Sequence, residues 1–294
     1  MTKRMCTLMR FDAIALDLDG TVLDDRGNVS DELVNLFHQL RSKGIKIFIA
    51  TGRTRLETAE ALPETLAFDG MVTANGMVCN INDQKISSHT LDPELVKEVV
   101  LQASENKVYY EVHPLEKPRY ALLKHKSFII HELEGEKPST LHDNEYNARL
   151  ESINKHLHWL NDIDADQVIK VYFFSMDLNK ITNWKNTLDE MKEKFSFSVT
   201  SSSIHSTEIA VPDVSKASGI QTLLQQYELS PEHLLAVGDA ENDIPMLKLA
   251  GWGVAMKNAN EHVKQIADEV TSATYTENGL YLFLKEKFKH ILDS

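Results

Sequence analysis

Short apolar runs alternate with amphipathic segments in the first and last thirds of the chain. Residues 13–16 and 234–237 are continuous apolar runs, and the run 45–50 is interrupted only by Lys46. Such runs favour strands that are buried on both faces of a parallel sheet. Behind Ser30, apolar residues recur at helical spacing, which predicts an N-capped helix. We therefore predict βα units that build a Rossmann-like parallel sheet in an α/β fold.

The same alternation resumes near residue 208. It predicts a helix that opens at Lys216, a helix start at 230–232 and a strand over 252–256. The middle of the chain, 83–207, differs, because polar residues such as Lys170 and Tyr172 alternate with apolar ones there. This alternation favours an antiparallel sheet with one face covered by helices. We expect a core formed by 1–82 and 208–294, with 83–207 as an inserted α+β domain.

Polar side chains follow the predicted core strands. Asp17 and Asp19 come directly after the first strand, and side chains two residues apart on an extended chain point the same way. Two carboxylates so close together are unfavourable unless a cation or a shared proton relieves them. Parallel strands end at one edge of a sheet, so further side chains are expected there: Thr51, Lys216, Asp239, Asn242 and Asp243. Such an edge suits Mg²⁺ that bridges protein to phosphate, and the Gly52 turn offers backbone amides to phosphate oxygens.

Each of these side chains also has an ordinary structural alternative. Thr51 and Asn242 could cap helices, and Lys216 could be an exposed lysine. Four histidines of the insertion lack the spacing of a zinc site, so we expect them to be solvated or hydrogen-bonded: His113, His125, His131 and His205.

The composition narrows the classes of partner. The net charge of −13 argues against nucleic acid and anionic membranes, because both attract basic surfaces. Cys6 and Cys79 form no CxxC pair, which argues against a disulfide framework or a cysteine zinc site. The N-terminus lacks a signal-like apolar region, and no run approaches the ~18 apolar residues of a membrane span. We therefore expect a cytoplasmic protein.

Four segments, in order, resemble the motifs of the haloacid dehalogenase superfamily. They are Asp17-x-Asp19-Gly20-Thr21, Ala50-Thr51-Gly52-Arg53, Lys216 and Gly238-Asp239-x-x-Asn242-Asp243. The insertion before the lysine resembles the Cof-type phosphatases with a type IIB cap, and Asn75-Gly76 and Glu277-Asn278-Gly279 resemble further family positions. Two departures are visible. Ser215-Lys216-Ala217-Ser218-Gly219 replaces the usual lysine-glycine pair, and Ala240 stands where glycine or serine is commoner.

The resemblance implies a Mg²⁺-dependent phosphatase that hydrolyses small phosphorylated metabolites, such as sugar phosphates, through an aspartyl-phosphate. Asp17 would be the nucleophile and Asp19 the general acid and base. The implied metal ligands are Asp17, Asp239 and the backbone carbonyl of Asp19. The implied phosphoryl-binding residues are Leu18, Thr51, Gly52, Lys216 and Asn242, while Asp243 would orient the loop and the lysine. The cap, 83–207, would supply specificity, with candidate contacts at Tyr109, Lys124, His125, Lys126 and His205.

Two alternatives stay open at this point. A phosphomutase on the same scaffold would transfer the phosphoryl group within a sugar phosphate instead of releasing it. A non-catalytic phosphate-binding regulator would not need Asp19 as an acid and base. Release of phosphate separates the first alternative from hydrolysis, and the effect of replacing Asp19 separates the second.

Overall fold

The computed structural model describes residues 10–82 and 84–293, which form two compact units. Among these residues, the first unit contains 10–51, 59–86 and 215–293, and the second contains 52–58 and 87–214. The N-terminal segment with Cys6, and Asp83 at the expected domain boundary, lie outside the described residues.

The N-terminal part of the chain alternates strands and helices and then ends in adjacent strands. Its elements are β1 (Ala13–Leu16), α1 (Asp31–Ser42), β2 (Lys46–Ala50), α2 (Arg55–Ala61), β3 (Gly70–Thr73), β4 (Val78–Ile81) and β5 (Gln84–Ser88). Ser30 caps α1, as predicted, because its hydroxyl accepts a hydrogen bond from Leu33 N at 3.2 Å.

The middle part mixes helices with strands. Its elements are α3 (Pro93–Glu105), β6 (Tyr109–Pro114), β7 (Tyr120–Leu122), α4 (Lys126–His131), α5 (Asp143–Glu151), β8 (His158–Leu160), β9 (Val168–Phe174), α6 (Leu178–Met191), β10 (Ser198–Thr200) and β11 (Ser206–Ala210). Asp92 caps α3 through a hydrogen bond from Glu94 N at 2.8 Å.

The C-terminal part returns to the strand–helix alternation. Its elements are α7 (Lys216–Gln226), β12 (Leu234–Gly238), α8 (Ile244–Leu249), β13 (Trp252–Ala255), α9 (Glu261–Ile266), β14 (Glu269–Val270), α10 (Gly279–Lys287) and α11 (Lys289–Leu292). The helix start expected at 230–232 is only a 3-10 turn, Pro231–His233, because β12 begins at the next residue.

The larger sheet confirms the predicted α/β core. The described residues form eight strands in the order β14-β13-β12-β1-β2-β3-β4-β5, and the neighbours from β14 to β3 are parallel. Alternate residues of β1 enter two hydrophobic cores, Ile14 and Leu16 in one, Ala13 and Ala15 in the other. Helices α1 and α10 contribute to the first core, and α7, α8 and α9 to the second. Both faces of the sheet are therefore covered, which is why its strands appear as apolar runs.

The strand order changes direction at β1. From β1 the chain continues to β2 and β3 on one side, and later to β12 and β13 on the other. In open α/β sheets, ligands bind beyond the carboxyl ends of the strands at such a switch point.

The second unit contains a six-stranded sheet of order β10-β11-β9-β6-β7-β8 among the described residues. Its neighbours are antiparallel from β10 to β7, whereas β7 and β8 are parallel. The expected antiparallel pairing is confirmed, but polar alternation does not mark an exposed face in β9, because all seven of its residues are buried, Lys170 and Tyr172 included. The guanidinium of Arg149, from α5, lies 4.4 Å from the Tyr172 ring centroid and covers part of that face.

Across 10–82 and 84–293, the helices are too short or too polar to span a lipid bilayer.

Candidate active site

Asp17 lies at the carboxyl end of β1, beside the end of β12. The two strands pair in parallel with Leu16 opposite Val237, and Asp17 N donates to Val237 O at 3.0 Å. Asp239 follows β12 directly, so the strand register brings these two aspartates to the switch point. Asp17 is only 4% exposed.

Lys216 joins this site from the start of α7. Its Nζ donates to Asp17 Oδ1 at 2.5 Å and to Asp243 Oδ1 at 2.7 Å. Lys216 is buried, which excludes the alternative of an exposed lysine. The unusual Ser215–Ser218 sequence has a local purpose, because Ser215 Oγ accepts from Ser218 N while Ser218 Oγ accepts from Ser215 N. This capping box fixes the helix start that carries the lysine.

Three carboxylates, two buried and the third, that of Asp239, partly buried, converge beside one ammonium group. Ligand oxygens of Asp17, Asp239 and Asp243 all lie within 4.8 Å of one another. Burial and then repulsion from Asp243 raise the pKa of Asp17 to about 7, although Lys216 acts in the opposite direction. Burial and then Asp17 likewise raise the pKa of Asp239 well above its ordinary value. Burial would lower the pKa of Lys216, but its ion pairs with Asp17 and Asp243 outweigh that effect and raise it.

Asp243 organises the loop after β12. Its Oδ2 accepts hydrogen bonds from the backbone N–H groups of Asp239 and Ala240, each at 3.0 Å, while its Oδ1 holds Lys216. Both carboxylate oxygens are therefore engaged by the protein. The geometry suits the orienting role expected for Asp243.

Asp19 stands apart from the buried group. It is exposed, and its carboxylate is not one of the three that converge. Its charge nevertheless raises the pKa of both Asp17 and Asp239, so it lies within electrostatic reach of them. An exposed carboxyl group beside a buried one is placed to exchange protons with substrate or solvent.

The residues predicted to bind the phosphoryl group, other than Lys216, have different surroundings. Thr51 is buried at the end of β2, and Leu18 is buried next to Asp17. Asn242 Nδ2 donates to Asn75 Oδ1 at 3.0 Å instead of capping a helix. Gly52 belongs to the second unit, where its carbonyl accepts from Lys170 Nζ at 2.9 Å. Its role in phosphate binding stays a prediction.

Sequence reasoning missed Asn258, which follows β13. Its Nδ2 donates to Asp239 Oδ2 and to Gly20 O, each at 3.0 Å, and its Oδ1 accepts from Tyr275 N at 3.2 Å. Gly20 has a φ of +79°, and a Cβ there would lie 2.3 Å from Asp239 Oδ2, so the close approach requires glycine. The rule that identified the other site residues, a polar side chain beyond a core strand, also applies to Asn258.

A second set of potential ligand atoms lies in the second unit. Glu57, Glu111 and His113 have side-chain atoms within 4.8 Å of one another. Cations surround them: Arg149 Nη1 lies 2.7 Å from Glu111 Oε1, Arg119 Nη1 lies 2.7 Å from Glu57 Oε1, and Lys170 Nζ lies 3.3 Å from Glu57 Oε2. These partners already neutralise the carboxylates, so the cluster does not attract a further cation.

Two candidate specificity residues of the insertion are core residues. Tyr109 and His205 are buried, and His205 makes ring-nitrogen hydrogen bonds with Ser175 O and Thr140 Oγ1. His113 is buried against Glu111, whereas His131 is exposed. His205 is therefore hydrogen-bonded and His131 solvated, as expected, whereas Nε2 of His113 is buried without a hydrogen-bond partner among the described residues. The contacts of Lys124, His125 and Lys126 with a substrate stay predictions.

Comparison with known proteins gives a consistent result. The family model of haloacid dehalogenase-like hydrolases matches residues 14–284. The chain is 28% identical over 268 residues to 5-amino-6-(5-phospho-D-ribitylamino)uracil phosphatase YcsE of Bacillus subtilis (strain 168), covering 91% of this chain and 92% of that protein. It is also 28% identical over 287 residues to Phosphatase YwpJ of the same strain, covering 92% and 98%.

A solved structure of a haloacid dehalogenase-like hydrolase from B. subtilis superposes with a TM-score of 0.78 at 27% identity, covering 94% of this chain and 99% of that one. The matched segment includes every predicted motif of the core. The chain therefore belongs to the haloacid dehalogenase-like hydrolases.

Proposed function

We propose that this hydrolase is a Mg²⁺-dependent phosphatase that cleaves small phosphorylated metabolites through an aspartyl-phosphate on Asp17. The observation that carries the proposal is an imbalance of charge, because three carboxylates converge beside one ammonium group, Lys216. A divalent cation relieves that imbalance. Two relatives named as phosphatases support the same class of reaction.

The donor atoms present fit Mg²⁺. Asp239 Oδ1 is buried and has no hydrogen-bond partner among the described residues, while Asn258 holds the other oxygen of that carboxylate. Mg²⁺ prefers oxygen ligands and is commonly bound by one or two carboxylates together with substrate phosphate. Asp17, Asp239 and the backbone carbonyl of Asp19 would hold it. When bound, it would supply positive charge that stabilises the phosphoryl oxygens.

The proposed hydrolysis takes place in two displacements at phosphorus. A carboxylate oxygen of Asp17 forms a bond to phosphorus while the bond to the leaving oxygen breaks, and protonated Asp19 gives its proton to that oxygen. Asp19, now a carboxylate, takes a proton from the water that attacks phosphorus and releases Asp17 and phosphate. Lys216, Thr51, Asn242 and the amide of Leu18 would hold the phosphoryl oxygens, and Asp243 would keep Lys216 in place.

The second unit is proposed to supply substrate specificity, as expected for residues 83–207. The name of one relative specifies a phosphorylated ribitylamino-uracil as its substrate, which is a small phosphomonoester. We propose the same class, small phosphorylated metabolites such as sugar phosphates, for this chain.

The test is phosphate release from a panel of phosphorylated metabolites with and without Mg²⁺. Asp19→Asn should abolish turnover and leave Mg²⁺ affinity largely intact, whereas Asp25→Asn, at a nearby exposed aspartate, should change neither. Asp17→Ala should give no aspartyl-phosphate adduct in mass spectrometry. Isomerised substrate without free phosphate would identify a phosphomutase, and full turnover by Asp19→Asn would refute the mechanism.

A further inference from the structure

The turn that joins β3 to β4 has an unusual backbone. Its three successive residues have positive φ angles: +47° at Ala74, +54° at Asn75 and +104° at Gly76. Left-handed backbone is unfavourable for residues with a Cβ atom, although asparagine tolerates it better than most. Ala74 and Asn75 are buried, so packing holds the turn in this conformation. Strained backbone that packing maintains is found preferentially at functional sites.

This turn contacts three of the four segments of the first unit to which phosphoryl binding is assigned. Asn75 N donates to Thr51 O at 3.0 Å, and Asn75 Oδ1 accepts from Asn242 Nδ2 at 3.0 Å. A Cβ on Gly76 would lie 2.2 Å from the carbonyl oxygen of Ser215, the residue that precedes Lys216. One turn therefore touches the Thr51 loop, the Asn242 loop and the start of the lysine helix.

The hydrogen bond between Asn75 and Asn242 favours one orientation of the Asn242 side-chain amide. A side-chain amide can turn over and exchange its oxygen and nitrogen, and only the nitrogen donates hydrogen bonds. Asn75 Oδ1 is an acceptor, so it favours the orientation in which Asn242 Nδ2 faces it. Asn242 Oδ1 is buried without a hydrogen-bond partner in the described part of the chain, so no bond from its oxygen side fixes the orientation. The amide nitrogen carries two N–H bonds, and Asn75 uses only one.

We infer that Asn75 is a positioning residue, which orients the Asn242 amide so that its second N–H donates to a phosphoryl oxygen. The inference rests on the proposed phosphatase function and adds a residue to it. Asn75 itself acts through Asn242, and the left-handed turn is the means by which its side chain reaches that loop.

The direct test is Asn75→Gly. Glycine accepts positive φ without strain, so this change removes the amide and keeps the turn. We expect the Kd for inorganic phosphate with Mg²⁺, measured by calorimetry, to rise about tenfold, as for loss of one hydrogen bond to a charged group. The KM of the best metabolite should rise by a similar factor with kcat within about twofold, because uniform binding is lost. The Tm should stay close to that of the wild type.

Asn82→Gly is the matched control. Asn82 also has positive φ, +52°, but it is exposed in the turn between β4 and β5. The same chemical change there should alter neither phosphate affinity nor Tm. This variant separates the loss of the Asn75 amide from a general effect of replacing a left-handed asparagine.

A double-mutant cycle identifies the route of the effect. If Asn75 acts through Asn242, then Asn75→Gly should add no further loss of phosphate affinity to Asn242→Ala. A tenfold loss in both backgrounds, or no loss in the wild-type background, would overturn the inference while leaving the proposed function intact. A wild-type protein that neither binds phosphate nor hydrolyses any phosphomonoester would overturn the proposed function and the inference with it.

Discussion

The two units bury charged side chains in opposite ways. In the first, Asp17, Asp239 and Asp243 converge, and Lys216 forms ion pairs with Asp17 and Asp243. In the second, Glu57, Glu111 and Glu208 lie among an equal number of cations, namely Arg119, Arg149 and Lys170. The pKa values of Asp17 and Asp239 are raised, whereas those of Glu57 and Glu111 are lowered.

The difference teaches how to separate a reactive site from a structural ion network. Burial raises the pKa of a carboxyl group in both units, and the neighbours decide the net direction. A cluster whose charges balance needs no ligand. Removing one of its members leaves a partner charge buried without compensation, which destabilises the fold. A cluster with excess negative charge lowers the stability of the fold unless a ligand binds to it. Such a cluster therefore indicates a functional site.

The largest expected effect comes from Asp17→Asn. We expect phosphatase activity to fall by at least about 10⁴-fold, because the nucleophile is lost. The Tm of the metal-free protein should stay equal or rise, since one of three crowded carboxylates is removed. Steady-state kinetics and thermal unfolding in EDTA measure the two quantities. A fall in Tm of many degrees would show that this cluster stabilises the fold as the second unit's network does.

Glu111→Gln tests the charge-balanced ion network of the second unit, which consists of Glu57, Glu111, Glu208, Arg119, Arg149 and Lys170. Glu111 Oε1 accepts hydrogen bonds from Arg149 Nη1 at 2.7 Å and from Ser152 Oγ at 2.8 Å, and its side chain is fully buried. Neutralising it leaves Arg149 without its charge partner, so we expect a loss of about 3–5 kcal/mol in the free energy of unfolding. Denaturant titration measures the loss.

The control for this variant is Glu136→Gln. Glu136 is exposed, and its replacement should change the free energy of unfolding by less than about 0.5 kcal/mol. If Glu111→Gln were as mild as the control, the network would contribute little, and the contrast between the two units would be lost.

Asn258→Ala separates metal binding from folding in the first unit. Asn258 fixes one oxygen of Asp239, and its loss should reduce Mg²⁺ affinity by about 10- to 100-fold, the usual effect of removing a group that orients a metal ligand. Mn²⁺ binding followed by electron paramagnetic resonance gives the affinity without an activity assay.

Asn260→Ala is the matched change. Asn260 Oδ1 caps α9 by accepting from Val263 N at 2.9 Å, and its Nδ2 donates to Glu241. Its replacement should lower Tm slightly without weakening Mn²⁺ binding. Equal loss of affinity in both variants would mean that the loop as a whole, and not the contact with Asp239, sets the affinity.

The sequence indicates the core and most of the candidate site because both depend on local signals. Apolar runs mark the parallel strands, and polar residues beyond them, such as Asp17 and Asp239, necessarily meet at one edge of the sheet. The β1–β12 pairing confirms the expected sheet, although these strands lie more than 200 residues apart. Ser30 and Asp92 identify their helix starts for the same local reason.

The remaining features depend on pairs of side chains that no local pattern connects. Lys170 appears as a polar residue on an open strand face, yet it is buried because Glu57, distant in sequence, is its partner. Asn258 fits the local rule of a polar side chain beyond a core strand, but its contact with Asp239, like that of Asn75 with Asn242, is visible only in the structure. Alternation in a strand indicates which residues share a face, but it does not identify what covers that face.

The smallest expected effect is a pH dependence of stability that belongs to the second unit. Burial and then the charge of Lys170 lower the pKa of His113 below its ordinary value of 6.5. For Glu57 and Glu111, the cations outweigh burial and lower the pKa below the ordinary 4.5. Each group therefore binds protons less readily in the folded than in the unfolded state. Their contribution to stability is complete above pH 6.5 and is lost as the pH falls, first through His113 and then, below 4.5, through the glutamates.

His113→Gln should remove the first stage of this loss and retain the second. In thermal unfolding from pH 8 to pH 4, we expect the Tm of the variant to rise relative to that of the wild type as the pH falls from 6.5 to 4.5, whereas below pH 4.5 the glutamates destabilise both proteins. His131→Gln, at a histidine whose side chain is 80% exposed, should keep the wild-type profile. A difference in Tm between His113→Gln and the wild type that does not change with pH would show that His113 does not contribute to the pH dependence. The charges of the network would then balance without a titrating histidine.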